Sequence, residues 1–281
     1  MRKVIKNEIH DEERAYYASK NVSFKNIQIK GPLDGESAFK ESSNIDINNS
    51  KLILRYPCWH CKNVFFNRVY IAKTGRAGFW YCKNIKFENT VCKGVKAVRE
   101  SKNVEIINSE FVSPEICWRT ENILVSKSKI DSVYAFFESK NLKIDNLDFH
   151  GKYSFQYIKN MSVKDSNLDT KDAFWHTKNV KVCNSVLKGE YLGWYSENLV
   201  LENCDIYGTQ PLCYCKGLKL INCRLHNCDL SLEYSEVNGN IECDNCSIKN
   251  PMIGKIVVKG NPEIIVDEND RSKGKFVLIK E

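Results

Sequence analysis

Residues 178–196 read KNVKVCNSVLKGEYLGWYS, and the same outline starts again at Glu197-Asn198-Leu199, 19 residues after Lys178. A polar residue, an Asn and an apolar residue open each copy, and we call the Asn the anchor. The anchor positions are Asn21, Asn44, Asn63, Asn84, Asn103, Asn122, Asn141, Asn160, Asn179, Asn198 and Gly217. Their spacings are 23, 19, 21 and then 19 throughout. A fixed period of this length is typical of a solenoid.

Each copy contains its own strand and corner signals. Apolar residues one and three places after the anchor, such as Val180 and Val182, alternate as in a half-buried strand. A second Asn follows five places after the anchor, and a turn residue such as Gly189 or Gly208 follows ten places after it. Asn suits corners because it tolerates left-handed backbone, and stacked Asn amides can bond along the axis. We therefore expect three short strands and three corners in each coil.

Strands this short are expected to pair with their equivalents in neighbouring coils, about 4.8 Å away, which makes the sheets parallel. The usual crossover handedness favours a right-handed coil. The sequence therefore predicts an all-β fold, a single-stranded right-handed parallel β-helix of about 12–13 coils with repeats of about 19 residues. A single domain is expected over residues 1–281, with residues 1–20 as an N-terminal cap or first coil and 254–281 as a C-terminal cap.

Composition narrows the functional classes. The chain is 42% hydrophobic and 27% charged, as in ordinary globular proteins. It begins without an apolar run, which predicts no signal peptide, no membrane partner and a cytoplasmic location. The thirteen cysteines are then expected to be reduced. The net charge of +7 fits a solvated lysine surface better than a nucleic-acid partner.

Two cysteine motifs resemble halves of a zinc site, Cys58-x-x-Cys61 and Cys243-x-x-Cys246. The repeat places them many coils apart, so they cannot share one ion. We therefore expect neither a metal nor another cofactor. Cysteines at the small-residue position after the second Asn, such as Cys204 and Cys223, are expected to stack in the core.

Two neighbouring rows are conspicuous on the third stretch of the coils. Four places before the next anchor lies a row with Trp59, Trp80, Arg99, Trp118, Phe137, Gln156, Trp175, Trp194 and Cys213. Three places before it lies a second row, with Glu41, His60, Tyr81, Glu100, Arg119, Glu138, Tyr157, His176, Tyr195, Tyr214 and Glu233. Adjacent strand residues face opposite ways. Because burying Glu, Arg and His is costly and burying Trp is favourable, the Trp row is predicted inside and the second row outside.

The outer row is the candidate site. The same parity adds ligand-binding candidates beside it, which are Tyr134, Phe136, Tyr153, Phe155, Asp172, Phe174, Tyr191 and Gln210, and Tyr214 of the row itself is a further ligand-binding candidate. Soluble proteins rarely expose so many aromatic residues in one strip without a use. Flat rings among phenol, imidazole, guanidinium and carboxylate groups suit a saccharide or another small polar ligand. The alternative is a surface ladder of stacked rings that binds nothing.

The same strip also allows a catalytic interpretation. Tyr157, His176 and Tyr195 are expected on successive rungs about 5 Å apart, as an acid–base cluster for proton abstraction. Arg119 would neutralise an anion, and Glu138 would pair with the carboxylate two rungs away for an inverting hydrolysis. A structural charge ladder explains Arg119, between the two carboxylates, better than the hydrolysis does.

Four segments resemble a known family: residues 151–157, 170–176, 189–196 and 208–215. They are similar to a bacterial family of single-domain proteins catalogued as domain of unknown function 3737. The resemblance implies a pectate-lyase-like parallel β-helix and brings no assigned activity, substrate or catalytic residue. The calcium-binding aspartates of pectate lyases and the paired aspartates of polygalacturonases are not evident. We expect a carbohydrate-binding or carbohydrate-modifying protein of lyase, epimerase or hydrolase type, or alternatively a non-catalytic scaffold that binds a partner protein.

Overall fold

Short parallel strands recur at each repeat in the computed structural model, which describes residues 2–31 and 37–281. The chain divides into an N-terminal unit, Met1–Lys143, and a C-terminal unit, Ile144–Glu281. The described residues contain no α-helix, and hence no helix long and apolar enough to span a membrane. The predicted all-β parallel solenoid is confirmed, and the single-domain organisation stays a prediction.

The strands that begin at or near the anchor form the main face of each unit. In the N-terminal unit they are Lys3–Lys6, Lys20–Lys25, Ser43–Asn48, Lys62–Asn67, Lys83–Glu88, Lys102–Ile107 and Glu121–Ser132. Lys140–Lys152 includes the boundary between the units. In the C-terminal unit they are Lys159–Lys164, Lys178–Cys183, Glu197–Glu202, Leu218–His226, Glu236–Asp244, Ile253–Gly260 and Phe276–Lys280. They make about 14 turns, more than the 12–13 predicted, because irregular terminal segments without the anchor signature also pair as strands.

Second-face strands follow the second Asn. They are Ile9–His10, Gln28–Ile29, Lys51–Leu52, Tyr70–Ile71, Val91–Cys92, Glu110–Val112, Asn167–Lys171, Val186–Lys188, Asp205–Tyr207, Ser247–Lys249 and Glu263–Ile265. Third-face strands are Cys58–Trp59, Ala77–Trp80, Lys96–Arg99, Glu115–Ile116 and Tyr134–Ala135. All of these third-face strands lie in the N-terminal unit, whereas the same stretch in the C-terminal unit consists of turns. The prediction of three strands in every coil is therefore wrong for the C-terminal unit.

The register explains the 19-residue period. Val180 pairs with Leu199 and Val182 with Leu201, so equivalent positions of successive coils stack. These alternating apolar residues are buried, and their polar neighbours face solvent. Aromatic rings fill the interior between them, as where Phe155 packs on Phe174 at 5.3 Å between ring centroids. Each strand gains its hydrogen bonds and its hydrophobic contacts from the coils on either side.

The anchor asparagines form the predicted amide ladder. Asn63, Asn84 and Asn103 have φ of 57°, 58° and 57°, in the left-handed region. Asn84 Nδ2 donates to Asn63 Oδ1 at 2.6 Å, and Asn103 Nδ2 donates to Asn84 Oδ1 at 2.7 Å. Each amide thus donates in one direction and accepts from the other. The corner prediction is confirmed in both backbone conformation and side-chain bonding.

We expect Asn84→Ala to lower the free energy of unfolding by about 2–4 kcal/mol. The two amide hydrogen bonds contribute about 1 kcal/mol each, and the left-handed backbone costs Ala about 1–2 kcal/mol. Asn84→Gly is the control, because Gly accepts this backbone and loses only the amide bonds. Urea denaturation followed by circular dichroism should rank the stabilities as wild type, Gly variant, Ala variant. Equal losses for both variants would rule out the backbone contribution.

Small hydroxyl and thiol residues line the inside of the corners. Ser101 Oγ accepts from Cys82 N at 3.0 Å and donates to the Arg99 carbonyl at 2.9 Å. Cys204 and Cys223 occupy an equivalent position at another corner, where both are buried as predicted and their thiols donate to backbone carbonyls. The small-residue position therefore satisfies backbone groups where the chain turns.

Cys243 and Cys246 lie side by side across a turn, in positions that would allow a disulfide, and the expectation that all thirteen cysteines are reduced stays a prediction. The turn between them brings their Cα atoms to 5.8 Å, within the range that allows a disulfide. In residues 2–31 and 37–281, no cluster of three or more His, Cys, Asp or Glu side chains is arranged to hold a metal ion.

Candidate functional site

The third stretch of each coil in the C-terminal unit is an arc of turns. Left-handed residues alternate along it, as at Tyr153, Phe155 and Tyr157, with φ of 46°, 60° and 57°. This backbone does not keep the two-fold alternation of a strand. Phe155 is therefore buried, Gln156 is half-buried and Tyr157 is 45% exposed, although Phe155 and Tyr157 share one parity.

The arc overturns part of the predicted ligand-binding set. Phe136, Phe155 and Phe174 are fully buried, so their predicted place on the outer face is wrong. Asp172 is only 6% exposed, and the same correction applies to it. The reason is the left-handed backbone at all four positions, which turns their side chains away from where an extended strand would direct them.

The prediction that the Trp row lies inside is also wrong. Trp175 and Trp194 are half-buried, and each indole N–H donates at 2.7 Å to the backbone carbonyl 16 residues further on, at Tyr191 and Gln210. Gln156 imitates this bond, since its Nε2 donates to the Asp172 carbonyl at 3.1 Å. Each of these side chains lies on the outer side of its arc and donates a hydrogen bond to a backbone carbonyl at the start of the next arc.

Arg99 fits the same row in the N-terminal unit. Its guanidinium lies between two indole rings, 5.0 Å from the centroid of Trp80 and 5.2 Å from that of Trp118. A cation between two aromatic faces is stabilised by both ring quadrupoles. Arg99 therefore extends a ring stack, and Gln156 replaces an indole hydrogen bond. A charged and an amide side chain in this row are consistent with its half-buried position.

The adjacent row forms a ladder of parallel rings that we call the phenol ladder: Tyr157, His176, Tyr195 and Tyr214. The first three side chains are exposed, as predicted, and Tyr214 is half-buried. Successive ring centroids are 5.1, 4.9 and 4.8 Å apart, with interplanar angles of 9°, 7° and 14°. Tyr157 and Tyr195 are 45% and 43% exposed. These offset stacks leave ring edges and polar atoms open to solvent on successive rungs.

Tyr234 continues the phenol ladder, and sequence reasoning missed it. Counting by 19 places Glu233 after Tyr214, but the left-handed positions Leu212 and Tyr214 recur at Leu232 and Tyr234, 20 residues on. The Tyr234 ring lies 5.7 Å from Tyr214, tilted by 50°, with a guanidinium over it at 4.2 Å. One extra residue in this arc shifts the register by one position. The recurrence of an aromatic residue at Tyr234 was the sequence signal that could have revealed this shift.

In the phenol ladder, the polar atoms of His176, Tyr195 and Tyr214 are available to a ligand. Among the residues that the structure describes, the side chains of His176, Tyr195 and Tyr214 make no hydrogen bond. Burial raises the pKa of the Tyr214 phenol, and the nearby Glu233 carboxylate adds to this effect, so Tyr214 stays a hydrogen-bond donor at neutral pH. The ladder thus presents phenol and imidazole groups at a regular spacing of one rung.

The remaining ligand-binding candidates differ in exposure. Tyr153, Tyr191 and Gln210 are half-buried at the start of their arcs. Tyr191 contacts Trp194 edge to face at 5.1 Å and carries the Lys171 ammonium over its ring at 5.3 Å. Tyr191 therefore packs against the Trp194 ring that lies beside the ladder.

The charged candidates lie in the N-terminal unit and bond to one another. Arg119 Nε donates to Glu138 Oε2 at 2.7 Å, and Arg119 Nη1 lies 3.8 Å from Glu100 Oε1. Tyr134, in the same unit, is 39% exposed, and its carbonyl accepts the Trp118 indole N–H at 2.8 Å. Arg119 and Glu138 are therefore ion-paired with each other, and a catalytic role for either stays a prediction.

Asp172 allows a test of how the burial of its carboxyl group affects stability. Burial raises the pKa of its carboxyl above the ordinary value, while Lys171 acts in the opposite direction. The unfolded chain then loses this proton more readily than the folded chain, so ionisation lowers stability as pH rises above the ordinary carboxyl range. We expect Asp172→Asn to raise the melting temperature at pH 7 and to leave it nearly unchanged at pH 3. A lower melting temperature at pH 7 would mean that the carboxylate stabilises the fold.

Two other surfaces that contain polar residues were not predicted from the sequence. A groove of about 520 Å³ in the N-terminal unit is lined by residues that include Phe65, Asn84 and Lys86. In the C-terminal unit, His226 Nε2 bonds to Asp205 at 2.7 Å, and Tyr207 stacks on the imidazole at 4.6 Å. These residues lie on strand faces where alternating polar residues are ordinary, so no sequence signal distinguished them.

Among curated proteins, none matches this chain. Solved structures with some likeness include PfbA, a surface adhesin of Streptococcus pneumoniae (12% identity, 82% of this chain and 70% of that chain, TM-score 0.42). Another is the tailspike protein of E. coli bacteriophage HK620 in complex with a hexasaccharide, with 9% identity and a TM-score of 0.38. The match covers 94% of this chain and 66% of that chain, so this protein spans about two thirds of the tailspike chain. A hyper-glycosylated TibA fragment is 11% identical, with 99% and 95% covered and a TM-score of 0.33.

The model of a protein family matches nearly the whole chain. Its description reads "Protein of unknown function (DUF3737)", and the match runs over residues 3–279. The four segments that carried the resemblance lie within this range, and with them the Trp and Tyr rows of the C-terminal unit. The chain therefore belongs to the DUF3737 family.

Proposed function

We propose that the protein binds a saccharide along the phenol ladder of the C-terminal unit. The observation that carries the proposal is the four-rung stack of Tyr157, His176, Tyr195 and Tyr214, with ring centroids 4.8–5.1 Å apart and its outer ring edges in solvent. Exposing an aromatic strip to water is unfavourable, and contiguous exposed aromatic surface marks binding sites. The ladder also needs no rearrangement before binding, because stacking holds the rings in place.

The polar groups of the ladder favour a polyhydroxylated ligand. A phenol both donates and accepts, and neutral imidazole has one donor and one acceptor nitrogen, so the ladder matches hydroxyls that do the same. The apolar ring edges beside these atoms suit the C–H faces of a sugar ring. Lys159, Lys178 and Lys216 follow two residues after ladder positions at the solvated corner, so an acidic sugar would be tolerated as well.

We infer binding rather than turnover. A general base needs a hydrogen-bond partner that orients it, and no described side chain bonds to the His176 imidazole. His176 instead packs between Tyr157 and Tyr195 through its ring faces. Arg119 and Glu138 are ion-paired with each other in the N-terminal unit. The ladder therefore supports recognition, with the carbohydrate intact.

Tyr195→Phe tests the proposal, because it removes one hydroxyl and keeps the stacked ring. Calorimetric titration of wild type with cello-, xylo-, malto- and galacturono-oligosaccharides should identify a binding series. We expect Tyr195→Phe to weaken that binding about 2- to 10-fold, the effect of one net hydrogen bond. His176→Ala should weaken it more, because it also opens the stack.

Tyr70→Phe is the matched control, since Tyr70 is 38% exposed on a second-face strand outside the ladder. It should bind as wild type does, and all variants should melt within a few degrees of wild type. Failure of all four series to bind, or binding unchanged in Tyr195→Phe and His176→Ala, would overturn the proposal and favour the scaffold function.

A further inference from the structure

A four-residue aromatic arrangement occurs twice in the chain, once in each unit. Trp-His on one coil is followed by Trp-Tyr on the next, as Trp175-His176 with Trp194-Tyr195 and as Trp59-His60 with Trp80-Tyr81. We call each set of four an aromatic tetrad. The repeat of 19 residues does not require this, because other coils have Arg99-Glu100, Trp118-Arg119 or Gln156-Tyr157 at the same two positions.

The two tetrads have the same ring geometry. The indole rings stack at 5.6 Å in both, with interplanar angles of 1° for the N-terminal pair and 6° for the C-terminal pair. The imidazole and phenol rings stack at 5.1 Å and 11° in the first and at 4.9 Å and 7° in the second. In both, the second Trp meets the neighbouring Tyr edge to face, at 6.1 and 6.2 Å.

The backbone beneath the tetrads differs. In the N-terminal unit the tryptophans end the strands Cys58–Trp59 and Ala77–Trp80, whereas the C-terminal tryptophans lie in turns. The indole bonds are nevertheless kept, because Trp59 donates to the Ala77 carbonyl at 2.8 Å and Trp80 to the Lys96 carbonyl at 3.2 Å. The His and Tyr positions nevertheless share one left-handed conformation, with φ of 54° and 56° at His60 and Tyr81 and of 53° and 58° at His176 and Tyr195, so the exposed rings start from equivalent backbone in both units.

Exposure is also the same. Tyr81 is 41% exposed, close to the 43% of Tyr195, and His60 is exposed as His176 is. No described side chain hydrogen-bonds to His60 or Tyr81. The N-terminal tetrad therefore presents the same ring edges, imidazole nitrogens and phenol hydroxyl to solvent as the centre of the phenol ladder.

The residues beyond each tetrad differ, and this limits ligand length. The C-terminal tetrad is extended by the rings of Tyr157 and Tyr214, so four rungs are aromatic. The N-terminal tetrad is bordered in the same row by carboxylates. Glu41 accepts the Tyr17 hydroxyl at 2.6 Å, and Glu100 lies 3.7 Å from Arg99. The N-terminal tetrad thus has two rungs of stacked imidazole and phenol rings. The carboxylates on either side of it already interact with Tyr17 and Arg99.

We propose that the His60–Tyr81 tetrad is a second saccharide site, equivalent to the His176–Tyr195 tetrad for a short sugar and shorter than the full phenol ladder. This inference rests on the proposed function and adds a second site to it. A disaccharide covers about two rungs and should bind both tetrads with similar affinity, whereas a longer oligosaccharide gains contacts only at the C-terminal site. The protein then has two saccharide sites per chain.

Calorimetric titration of the full chain with the disaccharide and hexasaccharide of each of the four series tests this. We expect two disaccharide sites in wild type, and one in Tyr81→Phe/His60→Ala and in Tyr195→Phe/His176→Ala. Hexasaccharide should show one tighter site, which only the second double variant loses. Thermal melts control for folding, and Tyr81→Phe alone is the conservative variant if His60→Ala destabilises.

Each outcome bears on one proposal or on both. One site, lost only in the Tyr195→Phe/His176→Ala variant, would overturn the second site and leave the proposed function in place. One site, lost only in the Tyr81→Phe/His60→Ala variant, would assign the saccharide to the N-terminal tetrad and overturn the phenol ladder. No heat with any of the eight sugars would overturn both.

Discussion

Replacing Gly208 by Ala should lower the free energy of unfolding by about 4 kcal/mol or more, because the added methyl group would meet the backbone of the neighbouring coil. Gly208 has a φ of +135°, a region essentially limited to Gly. A Cβ there would lie 2.1 Å from the Gly189 carbonyl oxygen and 2.6 Å from its carbon. Both contacts are with Gly189, which directly follows the strand Val186–Lys188 and whose N–H donates to the Tyr207 carbonyl at 2.9 Å, so moving it away would strain that hydrogen bond and the adjoining strand pair.

Two other glycines separate the causes of this loss. Gly274 has a φ of +74° and open space where its Cβ would be, so Gly274→Ala measures the backbone cost alone, about 1–2 kcal/mol. Gly78 has no such φ, and its Cβ would lie 3.4 Å from the Ala97 carbonyl oxygen, so Gly78→Ala should change stability by less than about 1 kcal/mol. Urea denaturation gives all three values. A Gly208→Ala loss no larger than that of Gly274→Ala would contradict the close approach of the two coils.

Trp194→Ala should cost about 3 kcal/mol, which follows from its contacts rather than from deep burial. Its indole N–H bonds to the Gln210 carbonyl at 2.7 Å, and its ring stacks on Trp175 at 5.6 Å. Tyr191 and Tyr214 meet the same ring edge to face at 5.1 and 5.2 Å. Removing the ring leaves a carbonyl without its partner and takes away the support beneath the phenol ladder.

The chain itself offers the control for Trp194. Gln156 makes the equivalent hydrogen bond without an aromatic ring, so Trp194→Gln should recover about 1 kcal/mol of the loss seen in Trp194→Ala. Trp194→Phe keeps a ring and loses the donor, and it should fall between Trp194→Ala and wild type. Thermal and urea melts on the three variants separate the hydrogen bond from the stacking. Equal losses in the Ala and Gln variants would show that the hydrogen bond contributes nothing.

The repeat was readable from the sequence because it depends on neighbours that stack at a constant interval. Asn84 needs a left-handed corner and an amide partner in the next coil, and Val182 needs an apolar neighbour in the same register. Both needs recur at every coil, so they appear as a period in the sequence. The outward position of Tyr157, His176 and Tyr195 was also predictable, since burying polar rings in a row is costly.

Sequence alone did not determine the conformation of the third stretch. Strand parity predicted Phe155 and Phe174 outside and Trp175 inside, whereas the left-handed residues of the arc bury the two Phe side chains and leave the indole half-exposed. The repeating signature itself was enough to predict the parallel coils, the Asn corners and the exposed ladder row. The tertiary structure decided which rings are buried, that Tyr234 continues the ladder and that two tetrads match, because those depend on backbone dihedrals and contacts between coils that residue spacing does not encode.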